Sequence, residues 1–251
     1  ARASHRRPPC HTWFTVHNVD SHRCLMLREV CHGHNSMNIL VVNDLRTNFH
    51  SVRPEMEMIL LWRKAGHHVT VFTPQSNSID KLRAGDINVS LIKLNKKLSL
   101  RTIIAIRREL KRRPYDIIYA TGSRTIPNAA FAATGLPVKL VAYRGTCSGL
   151  YRSDPTAYLT ILHPRVDAVA CVSQAVEEHV RNKIRNPKMQ VTTIYKGHDL
   201  SWYSDQPVGL SEFGIPPTAF VTIAVATFRP SKGLTVLLDA AKQLAHLEKL
   251  P

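Results

Sequence analysis

The residues with the greatest chemical reach are Arg229, Lys232 and Gly233. They sit in VTIAVATFRPSKGLTVLLDAAKQL, which begins at Val221 and reads as an apolar strand, a short basic turn and an apolar helix. A helix start leaves backbone N–H groups unpaired and carries the positive end of the helix dipole, so it favours anions. Two cations in that turn make a clamp for a diphosphate. The chain ends eighteen residues beyond Gly233. The sequence therefore predicts a domain that is opened here and left incomplete.

A second set of cations lies upstream. From Met37, strands and helices alternate: Ile39–Asn43, His68–Thr73, Asn88–Leu94, Asp116–Ala120, Val138–Ala142, Asp167–Val172 and Met189–Tyr195 read as strands. Helices are expected from Pro54 to Gly66, over Leu98–Arg112 and Ile126–Thr134, in a short piece from Pro155, and after Ser173 as an N-cap. This alternation predicts an α/β fold: a Rossmann-like parallel sheet with helices on both faces, followed by the start of a second Rossmann-like domain. Ligands of such sheets sit beyond the carboxyl ends of the strands. The loops there are Asp44–Arg53, Thr121–Arg124, Tyr143–Thr146 and Lys196–Asp199. Arg53, Arg124 and Arg144 occupy three of them and Lys196 the fourth. Together with Tyr143, Gly145 and Gly197 they form a candidate anion-facing cleft.

The bulk numbers agree with a phosphate-bearing partner. The 251 residues hold 34 Lys and Arg against 18 Asp and Glu, a formal net charge of +16. Such a surplus attracts nucleotides, nucleic acids or anionic lipids. At 44% hydrophobic residues the chain can bury one large or two modest cores. No apolar run approaches the ~18–20 residues needed to span a bilayer, and the N-terminus lacks the apolar core of a signal peptide. Five cysteines, scattered over this length, suit a reducing compartment better than a disulfide scaffold.

The chain divides into four parts. Residues 1–36 hold six of the 13 histidines and three of the five cysteines without helical or strand periodicity, and read as a disordered or extraneous leader. A metal site from Cys10, Cys24, Cys31 and His34 is the sharper alternative, but the spacing matches no paired ligand pattern. Residues 37–197 form the Rossmann-like domain, the Gly- and Pro-rich segment 198–217 a linker, and 218–251 the start of the second domain.

Several chemistries lose their motif. No G-x-G-x-x-G follows the first strand, and no P-loop, G-x-S-x-G elbow, H-E-x-x-H or Asp-x-Asp occurs. No metal site is expected. Three segments then resemble one family in order and separation: VACVSQAVEEHV from Val169, IYKGHDLSWY from Ile194, and VATFRPSKGLTVLLDAAKQL from Val225. They are similar to the family 4 glycosyltransferases, which have a two-Rossmann-domain (GT-B) architecture. The resemblance implies transfer of a sugar from a nucleotide-sugar, UDP- or GDP-linked, with retention at the anomeric carbon and without a metal or other cofactor. It implies an acceptor-holding N-terminal domain and a nucleotide-holding C-terminal one. Arg229 and Lys232, with Gly233, match the family's donor-diphosphate site. The family's paired glutamates would lie beyond Pro251. Two departures stand out: the loop after the first strand lacks glycine, and Tyr143-Arg144-Gly145 stands where many members have His. Arg144 is the candidate catalytic residue: it can orient an acceptor or a phosphate but cannot act as a base. His163 is read as a helix-end residue.

Lys93–Arg113 is the most basic stretch, with a single acid, Glu109. It predicts either a solvated cover helix or peripheral contact with an anionic membrane. Nucleic acid is a poorer match, because no aromatic residues interleave the cations. The expected partners are a nucleotide-sugar donor and a cell-envelope glycan or glycolipid acceptor, in the cytoplasm or at the inner face of its membrane. The rival expectation is a non-catalytic anion- or membrane-surface-binding module.

Overall fold

The computed structural model describes residues 36–46, 49–197, 199–202, 208–226 and 228–244. Residues 1–35 of the leader, with Cys10, Cys24, Cys31 and His34, and also His198, lie outside the described residues. Two compact units divide the chain, Ala1–Asp199 and Leu200–Pro251.

The first unit is built on seven parallel strands: β1 (Asn38–Val42), β2 (His68–Thr73), β3 (Asn88–Leu91), β4 (Ile117–Ala120), β5 (Lys139–Arg144), β6 (Ala168–Cys171) and β7 (Gln190–Thr193). Their order across the sheet is β3-β2-β1-β4-β5-β6-β7. Strand β1 lies inside the sheet with Leu40, Val41 and Val42 fully buried, as expected for a parallel strand covered on both faces. Burying each such side chain contributes roughly 1.5–3 kcal/mol. Helices α1 (Phe49–Lys64) and α2 (Ile79–Ala84) cover one face, where Met56, Ile59 and Leu82 meet Ile39, Val41 and Val71. Helices α3 (Leu100–Arg112), α4 (Thr125–Ala133) and α5 (Gln174–Arg181) cover the other through Ile106, Ile126, Ala129 and Val176.

Local chemistry sets the ends of these elements. The Ser99 and Ser173 hydroxyls accept from the N–H groups of Thr102 and Val176, capping α3 and α5, and each cap is worth about 1 kcal/mol. Asp116 bonds both ways with the Asn38 backbone, and Asp167 accepts from Leu140 N at 2.9 Å. Each of these carboxylates thus fixes the register of the adjacent strand at its start. Gly66, at φ +92°, turns the chain from α1 into β2 in a conformation that other residues resist.

Several expectations need correction. Helix α1 starts at Phe49, so Pro54 lies inside it rather than at its first position. Strand β5 runs on to Arg144, so Tyr143 and Arg144 are strand residues rather than loop residues. Strands β3 and β7 are shorter than their apolar runs, and α2 had no counterpart among the expected helices. In the second unit, residues 221–226 are not a strand. A strand exists only when another backbone pairs with it, and no described backbone pairs with these residues. Val225 and Phe228 are almost fully exposed. The basic turn is as expected: a 3-10 turn, Pro230–Lys232, leads through Gly233 at φ +65° into α6 (Leu234–Leu244).

Candidate functional site

Strand order reverses direction between β1 and β4, because the chain moves outward to β3 before returning. Crevices in open α/β sheets form at such switch points. A cleft of about 190 Å³ opens there, lined by Asn43, Asp44, Thr121, Ser123 and Arg124. Asn43 is buried, and its side-chain oxygen accepts from the Thr121 hydroxyl at 2.7 Å, tying the two strand ends together. The Asp44 carboxylate takes a bidentate pair of bonds from Arg46, at 2.8 and 2.7 Å. Arg124 stands 3.9 Å from the same carboxylate. The Arg46 hydrogen bond, opposed by partial burial, holds the Asp44 pKa below the ordinary carboxylate value. Arg46 also donates to Leu94 O and Asn95 Oδ1, both at 3.2 Å.

One buried side chain organises the loops around this cleft. Asn128, on α4 and fully buried, accepts from Ser99 N at 2.9 Å. Its amide donates to Lys97 O at 3.1 Å and Arg124 O at 2.6 Å. Thr125 closes the Gly122–Thr125 turn by accepting from Gly122 N at 2.7 Å.

A second cluster stands farther along the same edge. Lys196, after β7, donates to Glu55 on α1, and its ammonium lies 5.4 Å from the centre of the Tyr143 ring. Burial works against the Lys196 charge, but the hydrogen bond and charge of Glu55 outweigh it and hold the pKa above the ordinary lysine value. Burial raises the Tyr143 pKa against the opposing pull of Lys196. A side chain at Gly145 would meet the Tyr143 ring at 3.2 Å, so glycine lets that ring lie over the backbone.

The expected site residues therefore divide. Arg124 lines the switch-point cleft; Tyr143 and Lys196 share the second cluster, with Gly145 beneath the ring. Arg144 donates to the carbonyls of Thr146 (2.7 Å) and Ser148, so its guanidinium shapes its own loop. Arg53 lies 3.8 Å from Glu57 along α1, and Gly197 is exposed. Arg229 and Lys232 are exposed in the second unit, and neither makes an ion pair among the described residues. His163 does not cap a helix: it is buried, packs edge-on to Phe131 at 5.2 Å, and accepts from Arg165 N. Burial lowers its pKa, with nearby Arg165 adding to the effect.

Sequence reasoning missed Glu55, Asp44 and Asn128 as site residues. Glu55 reads as an ordinary first-turn acid, and nothing local announces a partner 141 residues away. A larger cleft of about 320 Å³ opens at the opposite edge of the sheet, near Arg63, His68 and Arg113. Arg63 is paired there with Asp86, and Arg113 lies 3.8 Å from Glu109. Strand carboxyl ends and helix starts converge on the other edge, which is where the candidate site is placed.

Fold and site together define a doubly wound α/β domain with a cation-bearing edge at its switch point. The model of Glycosyltransferase Family 4 matches residues 56–202, and the chain belongs to that family. Solved structures share the fold. A glycosyltransferase from Rickettsia africae superposes with a TM-score of 0.65 at 17% identity, over 86% of this chain and 59% of its own. Anabaena HepE in complex with UDP and glucose gives 0.62 at 19% identity, over 82% and 58%. HepE with UDP-glucose gives 0.60 at 18%, over 82% and 57%. The chain thus spans less than two thirds of the length of these structures. No curated protein matches it. Among the described residues, no helix is long and apolar enough to cross a membrane.

Proposed function

We propose that the protein transfers a sugar from a nucleotide-sugar, UDP- or GDP-linked, to a glycan or glycolipid acceptor. Residues 37–197 would hold the acceptor, 198–217 would link the domains, and 218–251 would begin the donor-binding domain. The observation that supports this reading most strongly is the family match over 56–202 on a sheet whose switch-point edge gathers Arg46, Arg124 and Lys196.

In this reading Arg229 and Lys232 grip the donor diphosphate, and Gly233 gives the turn that presents them. The leaving group is a nucleoside diphosphate, so charge grows on its oxygens as the glycosidic bond breaks. Fixed cations stabilise that charge, and removing one such donor typically costs about 10²–10³ in kcat. The diphosphate contact is made by side chains and helix-start N–H groups, so the step we propose is metal-independent, and it retains anomeric configuration. UDP is the favoured nucleotide because HepE, a fold relative, is seen with UDP and glucose. Tyr143, Gly145, Lys196 and Gly197 would border the acceptor. Arg144 would act by shaping its loop, and Arg53 and Arg124 by setting the field of the cleft. The Lys93–Arg113 stretch supports contact with an anionic membrane at the cytoplasmic face. It also favours the rival reading of a non-catalytic membrane-surface module. A transfer assay on the full-length protein with UDP- and GDP-sugars separates the two: product from one donor supports the enzyme, and vesicle binding without turnover of any donor supports the rival.

A further inference from the structure

Helix α3 presents an unusual outer surface at one end. Leu98, Leu100 and Ile104 are 40%, 78% and 48% exposed. Leu100 and Ile104 are one turn apart, and Arg108 and Lys111 continue the same outward stripe. Lys96, Lys97 and Arg101, all exposed, surround the apolar end. The inward side is separate, formed by Thr102, Ile106, Glu109 and Leu110. Solvation explains the cations of a cover helix. It does not explain three large aliphatic side chains gathered at the tip where the helix begins.

That tip is fixed beside the switch-point cleft. Asn128 holds Lys97 O and Ser99 N on one side and Arg124 O on the other. Arg46, paired with Asp44 in the cleft wall, holds Leu94 O and Asn95. The segment carrying the apolar tip is therefore bonded to both loops that border the cleft.

We propose that Leu98, Leu100 and Ile104 insert into the interfacial layer of an anionic bilayer, with Lys96, Lys97, Arg101 and Arg108 on its head groups, so that the cleft beside them receives an acceptor anchored in that same membrane. This rests on the membrane contact proposed above. It narrows that contact to a defined wedge and the acceptor to a lipid-anchored one. Nucleic acid would satisfy the cations but offers nothing to the leucines and isoleucine. An anionic bilayer meets both, since its interface accepts apolar side chains beneath a charged surface.

Flotation of the 251-residue chain with phosphatidylcholine vesicles, with and without phosphatidylglycerol, tests the wedge. Wild type is expected to float only with the anionic vesicles. Leu98→Ser/Leu100→Ser/Ile104→Gln is expected to partition at least about tenfold less, with unchanged thermal unfolding because all three positions are exposed. Lys96→Gln/Lys97→Gln/Arg101→Gln should also lose binding. Wild type that ignores anionic vesicles, or an apolar variant that binds them as wild type does, overturns the proposal. In the full-length protein the apolar variant should slow transfer to a vesicle-anchored acceptor about tenfold and leave transfer to its soluble, deacylated analogue unchanged. Equal slowing on both acceptors contradicts the lipid-anchored part. Flotation needs no donor, so its failure leaves the transferase reading standing, and absence of turnover leaves the wedge standing.

Discussion

Asp44 shows how a single residue connects the fold to the cleft. It follows the first strand by two residues, accepts a bidentate pair of bonds from Arg46, and lies 3.9 Å from Arg124. Its folded pKa is depressed, so its contribution to stability is present above the unfolded value, ~3.9 for aspartate, and is lost as pH falls through the folded value. Asp44→Asn should therefore lower the melting temperature at neutral pH, and the gap to wild type should close below about pH 4. A gap that is constant across the acid limb would contradict this assignment. Asn128 is the other decisive residue. Truncation to Ala removes the partner of one part-buried backbone N–H and two part-buried carbonyls, and a fully buried group left unsatisfied costs about 1–3 kcal/mol, an upper bound for each. Asn128→Ala should lower the unfolding free energy in urea by at least about 2 kcal/mol and loosen the Leu98 tip relative to Arg124. A loss under about 0.5 kcal/mol would mean that the loops do not depend on it.

At the scale of elements, the sequence was legible wherever local chemistry decides. Strand β2 lies where its run of β-formers places it, and Ser173 caps the helix its position suggests, whereas Ser99, inside the run expected to be helical, caps an α3 that starts at Leu100. Departures arise where distant contacts decide. Helix α1 extends a turn before Pro54, although proline forfeits the bond to the carbonyl four residues back. Its packing of Val52, Met56 and Ile59 against the sheet outweighs that loss. Strand β5 continues through Tyr143 and Arg144 because β6 pairs with it as far as Cys171. Pairing is invisible to a local reading of VAYRG. Tyr143 was expected in a loop and is a strand residue, and its neighbours Glu55 and Lys196 meet only through the fold. The segment from Val221 shows the converse: apolar alternation alone does not make a strand without a paired backbone.

Taken whole, the molecule divides its core unevenly. The first unit buries a layer on each face of its sheet, whereas α6 has no buried residue and Phe220, Val225 and Phe228 face solvent. Amide exchange should therefore be slowest in β1 and fastest among the helices in α6, since protection follows buried packing. Protection of α6 equal to that of β1 would contradict the division into two units. Arg229 and Lys232 flank a turn that enters α6 through Gly233, and the proposed role is that an anion there draws on both cations and the helix start. The most direct test titrates UDP-sugar into full-length wild type and Arg229→Ala/Lys232→Ala by calorimetry. Wild type should bind saturably and the double variant should lose at least about 100-fold in affinity, as for removing two charge-assisted contacts, with the fold intact by circular dichroism. Equal affinity in the two proteins would contradict this role.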